Sequence, residues 1–240
     1  MKKILITILF LGISVHRLSS QSTSDVSKQL WFDLNPTLFK TLDLEYRGSF
    51  GVRKELGSGG WWRLIAVPQV RYNLGKKVFV IGGLGGYYTF NQVIDDRLEI
   101  RPFQGIMAKW PAIGNAALEN YLRLEERVEF DTDNWNSKIS LRLRLRLMFI
   151  YKFNAMEESR YWRILAGLEG FATLTGEQGQ FQEQGRASIA ADRSLRDDIV
   201  LRFEITWQKQ NGFIIQNESV NTIYFRLRLY YTWGELNIVY

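Results

Sequence analysis

The chain has 240 residues, with 31 Lys and Arg against 25 Asp and Glu, no cysteine and a single histidine. Without thiols there is no disulfide framework, no Cys-ligated metal and no Cys-His pair. The one histidine, His16, lies in an N-terminal leader, so the mature chain has no imidazole for a Ser-His-Asp triad or a metal site.

That leader is Met1, Lys2 and Lys3, the apolar run Ile4 to Val15, then Leu18, Ser19 and Ser20. A basic start, an apolar stretch and small residues before a cut form a secretory signal peptide over residues 1–20. The apolar run is shorter than the roughly 20 residues a spanning helix needs; the bland alternative is a buried N-terminal helix. Cleavage removes Lys2, Lys3 and Arg17 and lowers the formal charge from +6 to +3, too little to argue for nucleic acid. Residues 21–240 show no linker or composition shift and read as one domain.

From there the chain alternates with period two, which sends successive side chains to opposite faces of a strand. A first weak segment is Leu30–Phe39. Next, Leu42, Leu44, Tyr46, Phe50 and Val52 alternate with Asp43, Glu45, Arg47 and Ser49. Weaker alternation covers Trp61–Asn73, Lys77–Phe90 and Arg97–Lys109. Leu122, Leu124, Val128 and Phe130 then face away from Tyr121, Arg123, Glu125, Arg127 and Glu129. The clearest case is Lys138–Lys152, where Ile139, Leu141, Leu143, Leu145, Leu147, Phe149 and Tyr151 oppose Arg142, Arg144 and Arg146. Tyr161–Leu174 and Gln184–Ala191 are again weaker. Ile199, Leu201, Phe203, Ile205 and Trp207 oppose Arg202 and Glu204, and Ile223, Phe225, Leu227, Leu229 and Tyr231 oppose Arg226 and Arg228. Asn73-Leu-Gly75, Asp131-Thr-Asp-Asn134, Gly176 to Gly179 and Asn211-Gly212 carry turn chemistry. The count is eleven, and Leu236–Tyr240 makes twelve. The predicted fold is all-β: a closed antiparallel up-and-down transmembrane β-barrel of about 12 strands, range 10–12.

A soluble sandwich or lipocalin-like barrel hides the aliphatic face, whereas a membrane barrel turns it to lipid and lines its lumen with charge. Strand length favours the second. Thirteen residues at ~3.3 Å, tilted by ~40°, rise roughly 33 Å and cover an apolar band about 25 Å tall. Trp31, Trp61, Trp62, Trp135 and Trp162 fall near predicted strand starts, and Trp110, Trp207 and Trp233 near ends. Such placement suits two interfacial girdles at the headgroup level.

The mature chain also resembles the bacterial family of outer-membrane barrels called domain of unknown function 2490, over roughly Trp31 to Tyr231. The resemblance is carried by Trp31 with Leu42-Asp-Leu-Glu-Tyr-Arg47, Gly82 to Tyr88, Leu98-Glu-Ile-Arg-Pro-Phe-Gln104, Tyr121-Leu-Arg-Leu-Glu-Glu-Arg127 and Arg142–Arg146. It implies an outer-membrane location and a barrel, with no activity to carry over. The tail Thr232–Tyr240 runs past the expected last strand, and its Leu236, Ile238, Tyr240 pattern resembles the signal read by the barrel-insertion machinery.

Lipid-facing arginine costs roughly 2–4 kcal/mol at the midplane, so Arg123, Arg127, Arg142, Arg144, Arg146, Arg202, Arg226 and Arg228 are expected in the lumen with Glu125, Glu129 and Glu204. They form either a structural ladder of ion pairs or an anion-favouring constriction. Glu125 and Glu129 stand about 13 Å apart along one strand, beyond glycosidase spacing. Gly82-Gly-Leu-Gly-Gly86 lacks the Lys-Ser/Thr and helix of a phosphate loop. No catalytic residues, metal or cofactor are expected. The expected surroundings are outer-membrane lipid and lipopolysaccharide.

Three functions stay open: a narrow pore for small solutes, a closed structural or binding barrel whose loops meet a partner or lipopolysaccharide, and a soluble periplasmic lipid-binding barrel. The connections conflict on orientation. Short ones follow the first, third and ninth strands, and short turns are expected to be periplasmic; that would start the chain outside the cell.

Overall fold

The computed structural model describes residues 26–57, 60–92, 94–153, 161–176, 183–211 and 219–233. The predicted leader and the Leu236–Tyr240 segment lie outside them. Among the described residues there is no helix. The strands are β1 (Ser27–Lys40), β2 (Leu44–Arg47), β3 (Phe50–Glu55), β4 (Trp62–Ala66), β5 (Gln69–Asn73), β6 (Val78–Phe90), β7 (Arg97–Lys109), β8 (Ala116–Asp131), β9 (Ser137–Lys152), β10 (Trp162–Gly176), β11 (Glu183–Arg196), β12 (Ile199–Asn211) and β13 (Ser219–Thr232).

These close into a barrel. β1, β3, β4 and β6 through β13 form an eleven-strand ring, and the short β2 and β5 fill the wall between β1 and β6 at one rim. β2 runs into β3 across Gly48–Ser49, and β4 into β5 across Val67–Pro68. Ser49 and Val67 exchange backbone hydrogen bonds of 3.0 and 2.8 Å at this double break, and the Pro68 carbonyl accepts from Leu84 N at 3.1 Å. The wall therefore stays hydrogen-bonded where proline removes a donor.

Among the described residues the ring has eleven strands, within the expected range of 10–12, the Leu236–Tyr240 candidate lying outside them, and the odd count sets the closure. An up-and-down meander with an odd count returns its last strand in the direction of its first. β1 and β13 accordingly pair in parallel, from Ser27 opposite Thr222 to Thr37 opposite Thr232, while the other neighbours are antiparallel. β1 begins at one rim, here the N-rim, and β13 ends at the other, the C-rim. The orientation conflict also loses its force. The brief connections 41–43, 74–77 and 197–198 share the C-rim with the longer 110–115 and 153–161, so neither rim is uniformly short.

Burial is inside-out. Phe32, Leu145, Leu168, Ile189 and Phe203 are exposed on the outer face, while Glu99, Glu125, Arg142 and Asp192 are buried within. Part of the interior is apolar: Ile65, Val67, Phe79, Ile81, Tyr87, Phe103, Met107 and Tyr121 pack into one cluster against the β4–β8 wall. Glu126 departs from the outer face's apolar character and is exposed there. It lies beside Pro102, where the ladder passes from the Ile100–Val128 pair to the Phe103–Glu125 pair and Pro102 supplies no N–H.

Gly176 ends β10 at φ +92, and a Cβ there would lie 2.0 Å from the Ile139 carbonyl oxygen and 2.7 Å from Ser140 Cα. Backbone contacts cannot be relieved by a rotamer change. Gly176→Ala is expected to destabilise the barrel by on the order of 1–3 kcal/mol, read as a lower urea midpoint in micelles. The open site Gly170, with nothing within 4 Å of an added Cβ, is the control, and equal midpoints for the two variants would refute the argument.

Candidate functional site: an ion-paired lumen

Period two makes the inward row of β8 read Tyr121, Arg123, Glu125, Arg127, Glu129, and register decides what each side chain meets. Glu125 stands opposite Arg142 of β9. Arg142 donates from Nε and Nη2 to Glu125 Oε2 at 2.9 and 2.5 Å. Arg123 Nε lies 2.8 Å from Glu125 Oε1 as an ion pair, without the alignment of a hydrogen bond, and Arg101 Nη1 is 3.6 Å from Oε2. On the neighbouring strand, Glu99 accepts from Arg101 Nη2 at 2.7 Å and Arg127 Nε at 2.6 Å. Glu129 faces Arg97 at 3.6 Å.

The β9–β13 side repeats one device, a carboxylate between two arginines. Asp192 of β11 is flanked in register by Arg163 and Arg202 and binds both at 2.6 Å. Glu169 of β10 sits between Arg146 and Arg186 in register, accepts from Arg144 Nη2 at 2.7 Å and lies 3.4 Å from Arg186 Nη1. Glu204 pairs with Arg228 at 3.0 Å and Arg226 at 3.9 Å, and Arg226 also bonds Asp33. Aromatic rings fill the spaces between charges: Arg123 lies over Phe103 at 3.7 Å, Arg101 over Tyr87 at 4.4 Å and Arg146 over Tyr121 at 5.4 Å.

All eleven charged residues expected in the lumen, from Arg123 to Arg228, are buried or half-buried. Sequence reasoning missed their partners Asp33, Glu99, Arg101, Arg163, Glu169, Arg186 and Asp192. Their strands also send Trp31, Phe103, Leu165 and Ala190 inward, which blurs the contrast between faces. The usable signal was complementarity, a lone acid on one weak strand matching arginines on the next.

Two tryptophans are corrected. Trp31 and Trp61 were expected in an interfacial girdle, but both are buried inside. Position along a strand set that expectation, whereas phase decides the face. Trp31 shares its phase with the inward Gln29, Asp33 and Thr37, and Trp61 shares the phase of Arg63 and Ile65. Trp62, Trp110, Trp135, Trp162, Trp207 and Trp233 are exposed at or beyond strand ends or within three or four residues of them. Among the described residues no group of three or more His, Cys, Asp or Glu is placed to hold a metal.

A family model described as "Protein of unknown function (DUF2490)" matches residues 28–221, from the second residue of β1 into β13. The chain belongs to that family. The DUF2490 match takes in ten of the ring strands whole or nearly whole and stops three residues into the eleventh. No curated protein matches the sequence. What this DUF2490 barrel offers chemically is a buried array of guanidinium donors and carboxylates, held by register and enclosed by an apolar outer wall.

Proposed function

We propose that this DUF2490 chain is an integral outer-membrane β-barrel, exported by the leader at 1–20, and that its own side chains close its lumen. It then acts as a structural or binding barrel in contact with outer-membrane lipid and lipopolysaccharide, rather than as an open pore. The observation that carries the reading is the inverted burial. Glu125 is 0 % and Arg142 1 % exposed inside the ring, while Leu168 is 62 % and Phe203 59 % exposed outside. Ions packed with their partners suit a filled interior, and apolar side chains on a closed wall suit hydrocarbon. A soluble periplasmic lipid-binding barrel would place these two sets the other way round.

A second reading, a narrow anion-favouring pore, draws support from the β9–β13 side, where Arg144, Arg202, Arg226 and Arg228 keep side-chain exposures of 12–16 % and arginines outnumber acids. Planar bilayers separate the two. The closed barrel predicts no conductance steps from the intact protein and small steps after the combined Arg142, Arg144 and Arg146 to Ser changes. Anion-selective steps from the intact protein would replace the closed reading with the pore. Fractionation tests location: the chain is expected with outer membranes, to require detergent for extraction and to migrate heat-modifiably. Release with the soluble periplasm would refute the membrane reading.

A further inference from the structure

Trp31 is the centre of an unusual piece of the lumen. Tyr224 stacks on the indole with centroids 3.6 Å apart and planes 8° apart. The Arg53 guanidinium carbon lies 3.5 Å from the same ring centre and therefore occupies the opposite face. Arg226 and Arg186 approach to 5.2 and 5.8 Å. Register imposes this crowding: Trp31 is flanked by Arg53 on β3 and Arg226 on β13, and the next residue beyond Arg53 is Arg63 on β4. Arg53 and Arg63 stand directly opposite each other, and like charges so placed are destabilising; the next inward acid on β3, Glu55, accepts from Ser27 Oγ at 2.7 Å.

Charge around the indole is unbalanced. Asp33, Glu169 and Glu204 are shared among Arg144, Arg186, Arg226 and Arg228. Arg53 has no carboxylate within ion-pair distance among the described residues, and its buried Nε has no hydrogen-bond acceptor. Arg53 thus adds a positive charge that none of these three carboxylates bonds, in a partly desolvated space where uncompensated charge is costly. Arg53 lies two residues from the N-rim end of β3, and Arg186 three residues from the N-rim end of β11, which places the cluster nearer that rim than the other.

We propose that Arg53, Arg186 and Arg226 around Trp31 form a binding site for a small oxyanion of the inorganic phosphate class, entered from the N-rim. A guanidinium presents parallel N–H donors that match two oxygens of such an anion, which a halide cannot do. The anion supplies the missing negative charge, and the Trp31 indole holds Arg53 in place by stacking.

The test uses the full chain folded in non-ionic micelles, so it reads this site whatever membrane the barrel occupies. Inorganic phosphate is titrated at constant ionic strength, with chloride in parallel, following unfolding midpoint and tryptophan fluorescence. Wild type is expected to show a saturable rise in midpoint with phosphate, and a weaker one with chloride. Arg53→Met should weaken the apparent phosphate affinity about tenfold or more, the loss of one charge-assisted contact. Trp31→Phe should lose the saturable optical change while keeping a saturable midpoint response. If Arg53→Met does not fold, Arg53→Lys takes its place and is expected to keep a weaker saturable response. No saturable response in wild type, or an undiminished one in the Arg53 variant, overturns the site; equal responses to chloride and phosphate overturn the oxyanion assignment.

Discussion

Glu125→Ala is expected to cost about 3–5 kcal/mol of stability, the penalty for leaving buried charge without its partner. Glu125 is completely buried, and its carboxylate is contacted by Arg101, Arg123 and Arg142. Arg142 directs two donors at one oxygen and is 1 % exposed, so it has no route to water when the acid goes. Urea unfolding in micelles, followed by loss of heat-modifiable migration, reads the effect. The double change Glu125→Gln with Arg142→Met should recover much of the loss, because it removes both members of the pair. A single Glu125→Ala variant as stable as wild type would mean that water reaches this network, and the closed lumen would have to be abandoned.

The second large effect concerns the outer face. Leu145 lies near the middle of β9, 46 % exposed, opposite Leu122 on one side and Gly170 on the other. If lipid covers this wall, Leu145→Arg places a guanidinium near the bilayer midplane at about 2–4 kcal/mol, whereas the same change at Tyr151, next to the C-rim end, costs roughly 0–1 kcal/mol. Refolding into lipid vesicles should therefore yield much less folded barrel for Leu145→Arg than for Tyr151→Arg. In a soluble barrel both sites face water, and surface substitutions stay within about 0.5 kcal/mol. Equal yields for the two variants would argue against hydrocarbon on this surface.

Legibility in the sequence followed the contrast between faces. On β8, β9, β12 and β13 one face is aliphatic and the other charged, so period two shows both the strand and its inward residues, Arg123 through Glu129, Arg142 through Arg146, Arg202 with Glu204, and Arg226 with Arg228. On β1, β6 and β7 the lumen itself is lined by Trp31, Tyr87 and Phe103, so both faces look apolar. There the strands were visible, but Asp33, Glu99 and Arg101 were not recognised as lumen residues. The misplacement of Trp31 and Trp61 has the same root. An indole near a strand end suits an interface only when its phase also points outward.

The alternation of side chains along a strand is a local property of the backbone, and it was enough to indicate an all-β barrel of ten to twelve strands with an arginine-rich face. Closure is not local. The parallel β1–β13 seam follows from the parity of the whole ring, and the joining of β2 to β3 and β4 to β5 depends on hydrogen bonds contributed by neighbouring strands. Cross-strand register is likewise invisible in any single segment. It alone sets Asp192 between Arg163 and Arg202, places Glu125 against Arg142, and leaves Arg53 beside Trp31 with no ion-paired carboxylate among the described residues, because each of those meetings joins residues that only the assembled ring brings to the same height.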